Sequence, residues 1–125
     1  MSGEHNAVGW FEIPVTDMER AKAFYEHVFQ VKLEDLRMGE SDMALFPMKE
    51  NVIGSAGSLS KGTGYTPSRE GVLIYFTAPD IPATLARAKD KGGEVLLEKT
   101  SIGAEGFIAY LRDTEGNRIA LHSRQ

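Results

Sequence analysis

The chain has 125 residues, 42% of them hydrophobic and 26% charged, a composition typical of one globular domain and unlike that of a disordered chain. It contains no cysteine, which excludes disulfides, thiolate metal ligands and a cysteine nucleophile. The net charge is −4 and basic residues do not cluster, so we expect no nucleic acid and no membrane among its partners. The N-terminus is polar, and no apolar run approaches the ~18–20 residues that a bilayer requires. We therefore expect a cytoplasmic protein with small-molecule or protein partners.

The first half of the chain has the pattern of one strand, one helix and three strands. Residues 7–15 alternate between two kinds of side chain, the period of a strand with two different faces. Residues 16–29 have the apolar spacing of an amphipathic helix, and Thr16 and Glu19 have the spacing of a capping box at its start. Three strand-length apolar segments follow within residues 31–60. We expect these elements to form a first module over about residues 6–60.

The second half repeats this pattern. Residues 72–78 form an apolar strand, Asp80 has the position of a helix N-cap, and three strands follow a double glycine at 92–93. The strand-to-helix junction at Asp17 recurs at Asp80, 63 residues later, which indicates an internal duplication. A tight turn at 113–116 needs positive φ at Gly116. We expect the second module over about residues 72–124 of a single domain that spans 1–125.

The segment at about 61–71 joins the two modules and is rich in Gly, Ser, Thr and Pro. One interpretation is a simple linker. The other is a lid, in which Tyr65 reaches the mouth of a binding site. Its glycines are not a phosphate-binding loop, because the Lys-Ser/Thr ending of that motif is missing.

Three stretches of the sequence resemble the vicinal oxygen chelate superfamily, which includes glyoxalase I, extradiol dioxygenases and bleomycin resistance proteins. They are FEIPVTDMERAKAFYEHVF at 11–29, DIPATLARAKDKGGEVL at 80–96 and RDTEGNRIALH at 112–122. The last is similar to the family ending D-P-x-G-N-x-x-E-L. The resemblance implies an α+β fold in which two tandem β-α-β-β-β modules form a cupped mixed sheet with the helices outside. It does not imply one particular reaction, because this fold supports many.

The resemblance also says where metal-dependent members carry their His, Glu or Gln ligands. Transferred one by one, these positions fall on Trp10, Leu73 and Ala120, with a fourth somewhere in residues 54–57. A divalent catalytic metal needs about three N or O ligands, and these side chains do not supply them. We therefore expect no metal and no cofactor at the usual site.

The strand alternation predicts which side chains line the cup instead. The predicted ligand-binding residues are Trp10, Glu12, Leu73, Tyr75, Ala120 and His122. Trp10 either fills the cup or stacks on a ligand. Glu12, the one candidate catalytic residue, has three interpretations: an ion pair with Arg112 or Arg118, a solvated strand end, or a carboxylate that binds a ligand or acts as a general base. His122 alternatively lies at a solvated strand end, and we expect His5 in a mobile tail and His27 in solvent on the first helix.

Three functional hypotheses remain. The first is a metal-free protein that binds a small organic molecule in an aromatic cup, as drug-sequestering resistance proteins of the family do. The second is a metal-dependent lyase, isomerase or dioxygenase with unusual ligands, such as Glu12 and His122 with one further oxygen. The third is a non-catalytic interaction module. Because two such sheets leave free edges, we also expect a homodimer. The sequence leaves open whether the protein is an enzyme.

Overall fold

A computed structural model describes residues 6–125, so the prediction for His5 lies outside the described residues. The chain order is β1 (Phe11–Pro14), α1 (Met18–Phe29), β2 (Glu34–Met38), β3 (Ser41–Leu45), β4 (Gly57–Lys61), β5 (Tyr75–Thr77), α2 (Ile81–Asp90), β6 (Glu94–Ser101), a single 3₁₀ turn (Gly103–Glu105), β7 (Phe107–Arg112) and β8 (Arg118–Ser123). Two four-stranded sheets result, with strand orders β1-β4-β3-β2 and β5-β8-β7-β6. In each sheet the first pair is parallel and the others are antiparallel. The predicted duplicated α+β fold is confirmed.

Several strands are shorter than their apolar segments. β1 begins at Phe11 because its partner strand begins at Gly57, so residues 7–10 have no neighbour with which to form a ladder. A Cβ at position 57 would clash with the carbonyl oxygen of Phe11, so glycine permits this close approach. β5 has only three residues, Tyr75–Thr77, which pair with Ala120–His122 of β8.

The two helices begin at aspartates, but the predicted capping box is wrong. Asp17, not Thr16, is the N-cap of α1, and its side chain accepts a hydrogen bond from the backbone N–H of Arg20. The backbone N–H and hydroxyl of Thr16 donate instead to Glu115 of the second module. The N-cap at Asp80 is confirmed, with its side chain accepting from the N–H of Ala83.

The helices pack on one face of the sheets and form the core between them. Buried side chains from both modules contribute, among them Ile13, Val15, Phe24, Val28, Leu59, Leu85, Leu111, Ile119 and Leu121. The helices also contact each other, since the Nε of Arg87 donates to the carbonyl of Val28 at 3.0 Å. His27 was expected in solvent but is half-buried at this contact, 3.4 Å from a carboxylate oxygen of Asp90.

The turn between β7 and β8 ties the second module to the first. Asp113 is fully buried and accepts hydrogen bonds from the hydroxyl of Tyr25 on α1 and from the amide of Asn117. That same amide donates to the carbonyl of Pro14 at the end of β1. Gly116 has φ of 96°, as the turn requires. The motif that carries the family resemblance therefore holds the two modules together.

The carboxylate of Glu115 completes this connection. It accepts from the backbone N–H groups of Thr16 and Asp17 and pairs with the Nε of Arg20 at 2.7 Å. Burial alone would raise the pKa of Glu115, but the hydrogen bonds from Arg20, Asp17 and Thr16 outweigh it and lower the pKa to about 2. Glu115 is thus ionised throughout the neutral range.

Among residues 6–125, no helix is long and apolar enough to cross a membrane.

Candidate functional site

Each sheet has an inner face, which we define as the face opposite the helices. Two tyrosines on the inner face of the second sheet flank the position that the resemblance assigns to a metal-binding carboxylate. Tyr75 on β5 and Tyr110 on β7 are in register with Ala120 on β8, which is fully buried between them. Their ring centroids are 6.4 Å apart and their hydroxyl oxygens 3.4 Å apart. This hydrogen bond raises the pKa of Tyr75, so its hydroxyl stays protonated at neutral pH. Ala120 has no surface left with which to contact a ligand.

Arg118 lies beside this tyrosine pair. It is two residues before Ala120 on β8, so its side chain shares the inner face. Its guanidinium carbon lies 5.6 Å from the ring centroid of Tyr110, a cation–π distance. Its Nε is buried without a hydrogen-bond partner in the part of the chain that the structure describes. A buried donor without a partner costs about 1–3 kcal/mol, so Arg118 is a cation with unused binding capacity.

The linker crosses the inner face and does not simply join the modules. The hydroxyl of Tyr65 donates to a carboxylate oxygen of Glu12 at 2.7 Å, and this hydrogen bond raises the pKa of Tyr65. Further along, the backbone N–H of Ser68 donates to the side chain of Asn117 at 3.0 Å. Glu12 is exposed on β1, and the ion pair that we considered with Arg112 or Arg118 is not formed. Arg112 pairs with Glu94 instead, at 3.0 Å.

Two open cavities border the tyrosine pair. The apolar cavity, of about 690 Å³, lies between the free edge of β5 and the loop that follows β3. Its lining includes Val8, Phe11, Phe29, Val31, Phe46, Val52, Leu73, Tyr75 and Phe76. The polar cavity, of about 830 Å³, lies between linker residues 68–70 and the inner face of the second sheet, where Leu96, Tyr110 and Arg118 line it. Tyr75 therefore faces one cavity and its partner Tyr110 faces the other.

An aromatic cluster forms the floor of the apolar cavity. Phe29 and Phe76 stack with their centroids 4.5 Å apart, and Phe11 and Phe46 lie 5.8 and 5.7 Å from Phe76. These rings come from both modules, so the cavity lies at the junction of the two sheets. A planar apolar molecule would find stacking partners on this floor.

The structure distributes the six predicted ligand-binding residues over several environments. Leu73 and Tyr75 line the apolar cavity. Trp10 is 40% exposed and is not part of the wall of either cavity, while Glu12 accepts the hydrogen bond from Tyr65. Ala120 is buried, and a ring nitrogen of His122 lies 2.7 Å from the carbonyl oxygen of Glu105. Leu73 and Tyr75 thus share one cavity, and a single ligand site formed by all six residues stays a prediction.

The side chains at the transferred metal positions do not fit a metal. Trp10, Leu73 and Ala120 offer no ligand atoms, and no group of three His, Asp or Glu in residues 6–125 could hold an ion. The alternative pair of Glu12 and His122 is already engaged, with Tyr65 and with Glu105 respectively. Residues 54–56 and Leu73, at two of the four transferred positions, line the apolar cavity instead.

Tyr110 and Arg118 are not among the ligand-binding residues that the sequence predicts. Tyr110 shares the inner face with Ala120 because β7 alternates, with Ala109 and Leu111 buried on the helix side. That alternation was readable from the sequence. The sequence does not predict that Arg118 has no ion-pair partner, because this depends on the positions of Glu12 and Glu70 in the folded chain.

The comparisons with known proteins agree with this architecture. The family model of the glyoxalase/bleomycin resistance protein/dioxygenase superfamily matches residues 7–121. A glyoxylase-like domain-containing protein of Didymella fabae is 31% identical over 124 residues, which cover 96% of this chain and 95% of that protein. A putative glyoxylase of Mycobacterium tuberculosis is 30% identical over 111 residues, and the match spans only 40% of its length. The chain belongs to the glyoxalase/bleomycin resistance protein/dioxygenase superfamily.

Solved structures show the same fold at lower identity. A glyoxalase/bleomycin resistance protein from a Streptomyces species has a TM-score of 0.71 at 22% identity and covers 94% of this chain and 100% of its own. A second such protein, from Albidiferax ferrireducens, has a TM-score of 0.70 at 20% identity and covers 95% and 100%. The fold of the whole described chain is therefore that of this family.

Proposed function

We propose that this protein binds a small organic molecule in the apolar cavity, without a metal. The observation that carries the proposal is the lining of that cavity. Aromatic and aliphatic side chains from both modules surround an open volume of about 690 Å³, and two of the transferred metal positions are part of its wall. Ligand sites are usually concave and apolar with a few polar groups, and this cavity has that make-up.

The polar groups near the cavity would orient the ligand. Lys49, Ser55 and Thr77 are part of the cavity wall. Glu12 remains the candidate catalytic residue, and its hydrogen bond to Tyr65 places a carboxylate and a phenol together beneath the linker. A proton acceptor held in this way is compatible with either ligand binding or general-base chemistry.

The test uses a panel of neutral bicyclic aromatics (2-naphthamide, indole and quinoline) and isothermal titration calorimetry. We expect at least one to bind with 1:1 stoichiometry. The variant Leu73→Trp fills part of the cavity and should weaken that binding by about tenfold or more. Ile102→Trp is the matched control, because Ile102 is 43% exposed and lies outside the cavity wall. Equal affinities of the two variants would contradict the proposal.

We also propose that the protein is a homodimer. Several large apolar side chains around the cavity mouth are exposed: Val8, Met48, Val52, Ile53 and Val72. Exposed apolar groups that cluster in this way favour association. A second copy placed here would shield the cavity from solvent.

A further inference from the structure

We propose that Arg118, together with the hydroxyls of Tyr75 and Tyr110, forms an anion-binding subsite that takes the carboxylate of an aromatic or aliphatic carboxylic acid. The inference goes beyond the proposed function, because the subsite lies on the inner face of the second sheet, whereas the aromatic floor of the apolar cavity packs against the core on the helix side. The acid would lie in the polar cavity, which Leu96, Tyr110 and Arg118 line.

Arg118 differs in its ion pairing from the arginine opposite it. In residues 6–125 no carboxylate lies within ion-pair distance of its guanidinium, although Arg112 on the neighbouring strand has such a partner in Glu94. Arg112 and Arg118 are directly opposite each other in the β7–β8 register, so the two cations share one local environment. One is paired and the other is not, which distinguishes Arg118 as the group available to an external anion.

The geometry around Arg118 supplies further donors. Its Nε has no acceptor and almost no accessible surface, so a ligand would meet the two terminal amino groups of the guanidinium, against which Tyr110 packs. The hydroxyls of Tyr75 and Tyr110 are 3.4 Å apart and hydrogen-bonded to each other, which leaves one phenolic hydrogen free to donate to a ligand. A carboxylate is planar with two acceptor oxygens, so it can accept from a guanidinium on one side and a phenol on the other.

The polar cavity is the space that the proposed acid would occupy. Tyr75 lines the apolar cavity, whereas Tyr110 and Arg118 line the polar cavity. Arg69 and Glu70 of the linker also border the polar cavity and contribute opposite charges to its rim. A molecule with an apolar ring and a carboxylate would place its ring against Leu96 and Tyr110 and its carboxylate at Arg118.

The first experiment compares 2-naphthoate with 2-naphthamide, which has nearly the same shape and no charge. We expect wild-type protein to bind the carboxylate at least about tenfold more tightly, since a hydrogen bond to a charged group adds that much. Arg118→Met should abolish this preference, and Arg118→Lys should restore part of it. The control Arg112→Met removes the paired arginine across the ladder and should leave the preference unchanged. Equal affinities of wild type for the two compounds would overturn the subsite.

The second experiment separates the subsite from the apolar cavity. In ¹⁵N-labelled protein, the Nε–H signal of Arg118 is assigned by its loss in Arg118→Met, and benzoate is then titrated against benzamide. We expect benzoate to move the signal saturably and benzamide to leave it in place. A signal that benzoate does not move overturns the subsite even if neutral aromatics bind. A signal that moves while neutral aromatics fail to bind supports the subsite and contradicts the apolar cavity as the ligand site.

Discussion

Asp113 shows how much of this fold depends on single polar side chains. It is fully buried, and its carboxylate accepts from Tyr25, from the backbone N–H groups of Glu115 and Asn117, and from the Asn117 amide. A buried carboxylate is tolerated only when it is paired or hydrogen-bonded in this way. Burial and the neighbouring Asp113 raise the pKa of Tyr25 well above its usual value, so the phenol remains a donor.

Tyr25→Phe should therefore destabilise the protein. The change removes the 2.7 Å hydrogen bond to Asp113 at a fully buried site, and we expect a loss of about 1–3 kcal/mol in the free energy of unfolding, measured by urea denaturation. Tyr65→Phe is the matched control, because it removes a hydrogen bond of equal length to an exposed carboxylate. If Tyr65→Phe lowers the free energy of unfolding as much as Tyr25→Phe does, burial does not decide the effect.

Glu115 makes the free energy of unfolding depend on pH. Its pKa is lowered from 4.5 to about 2 in the folded chain, so its contribution is fully present above pH 4.5 and is lost as the pH falls toward 2. Because Arg20 is half exposed, solvent screens the pair, and we expect about 1–2 kcal/mol at neutral pH. Glu115→Gln should lose this amount at pH 7 and little at pH 2, measured by urea midpoints. Glu98→Gln removes an exposed ion pair with Lys89 at 3.9 Å and should leave the urea midpoint unchanged at both pH values.

At the scale of elements, the starts of the helices are set by two aspartates. Asp17→Ala should cost about 1 kcal/mol, because α1 loses the acceptor for the N–H of Arg20. Glu19→Ala should change the free energy of unfolding by less than about 0.5 kcal/mol, since Glu19 does not form a capping box. Thermal or urea unfolding of the two variants measures the difference. A larger effect at Glu19 than at Asp17 would support the capping box that the structure lacks.

Most elements could be predicted from the sequence because local signals determine them. The N-cap at Asp80, the glycine of the closing turn and the order of strands and helices all follow from spacing and turn chemistry. The N-cap of α1 could not be predicted in this way. Glu115, almost a hundred residues away in sequence, occupies the Thr16 groups that the capping box would use.

The candidate site was only partly predictable for the same reason. Strand alternation assigns Tyr75, Tyr110 and Arg118 to one face, and this needs only a period of two. The position of Tyr65 over Glu12 and the division of the space into two cavities depend on the path of the linker. Loop paths are set by tertiary contacts, such as that of Ser68 with Asn117, which the local sequence does not encode.

At the scale of the whole molecule, the exposed apolar side chains make association testable. Sedimentation at micromolar concentration should show a dimer, and Ile53→Glu, at a side chain that is 98% exposed, should shift it toward monomer. A charge placed in an apolar interface is desolvated without a partner, which disfavours association. Ile102→Glu introduces the same charge at a partly exposed site between β6 and β7 and should leave the dimer intact. A monomeric wild-type protein would contradict the proposed assembly.

The central claim is that the apolar cavity between the two modules is a ligand site. Backbone amide shift mapping with 2-naphthamide, indole and quinoline tests it most directly. We expect saturable shifts of the amide signals of Gly54, Leu73 and Phe76, which line the cavity, with little change at Glu98 on the far edge strand β6. The absence of shifts at the cavity residues with all three compounds, or shifts confined to other surfaces, would contradict it.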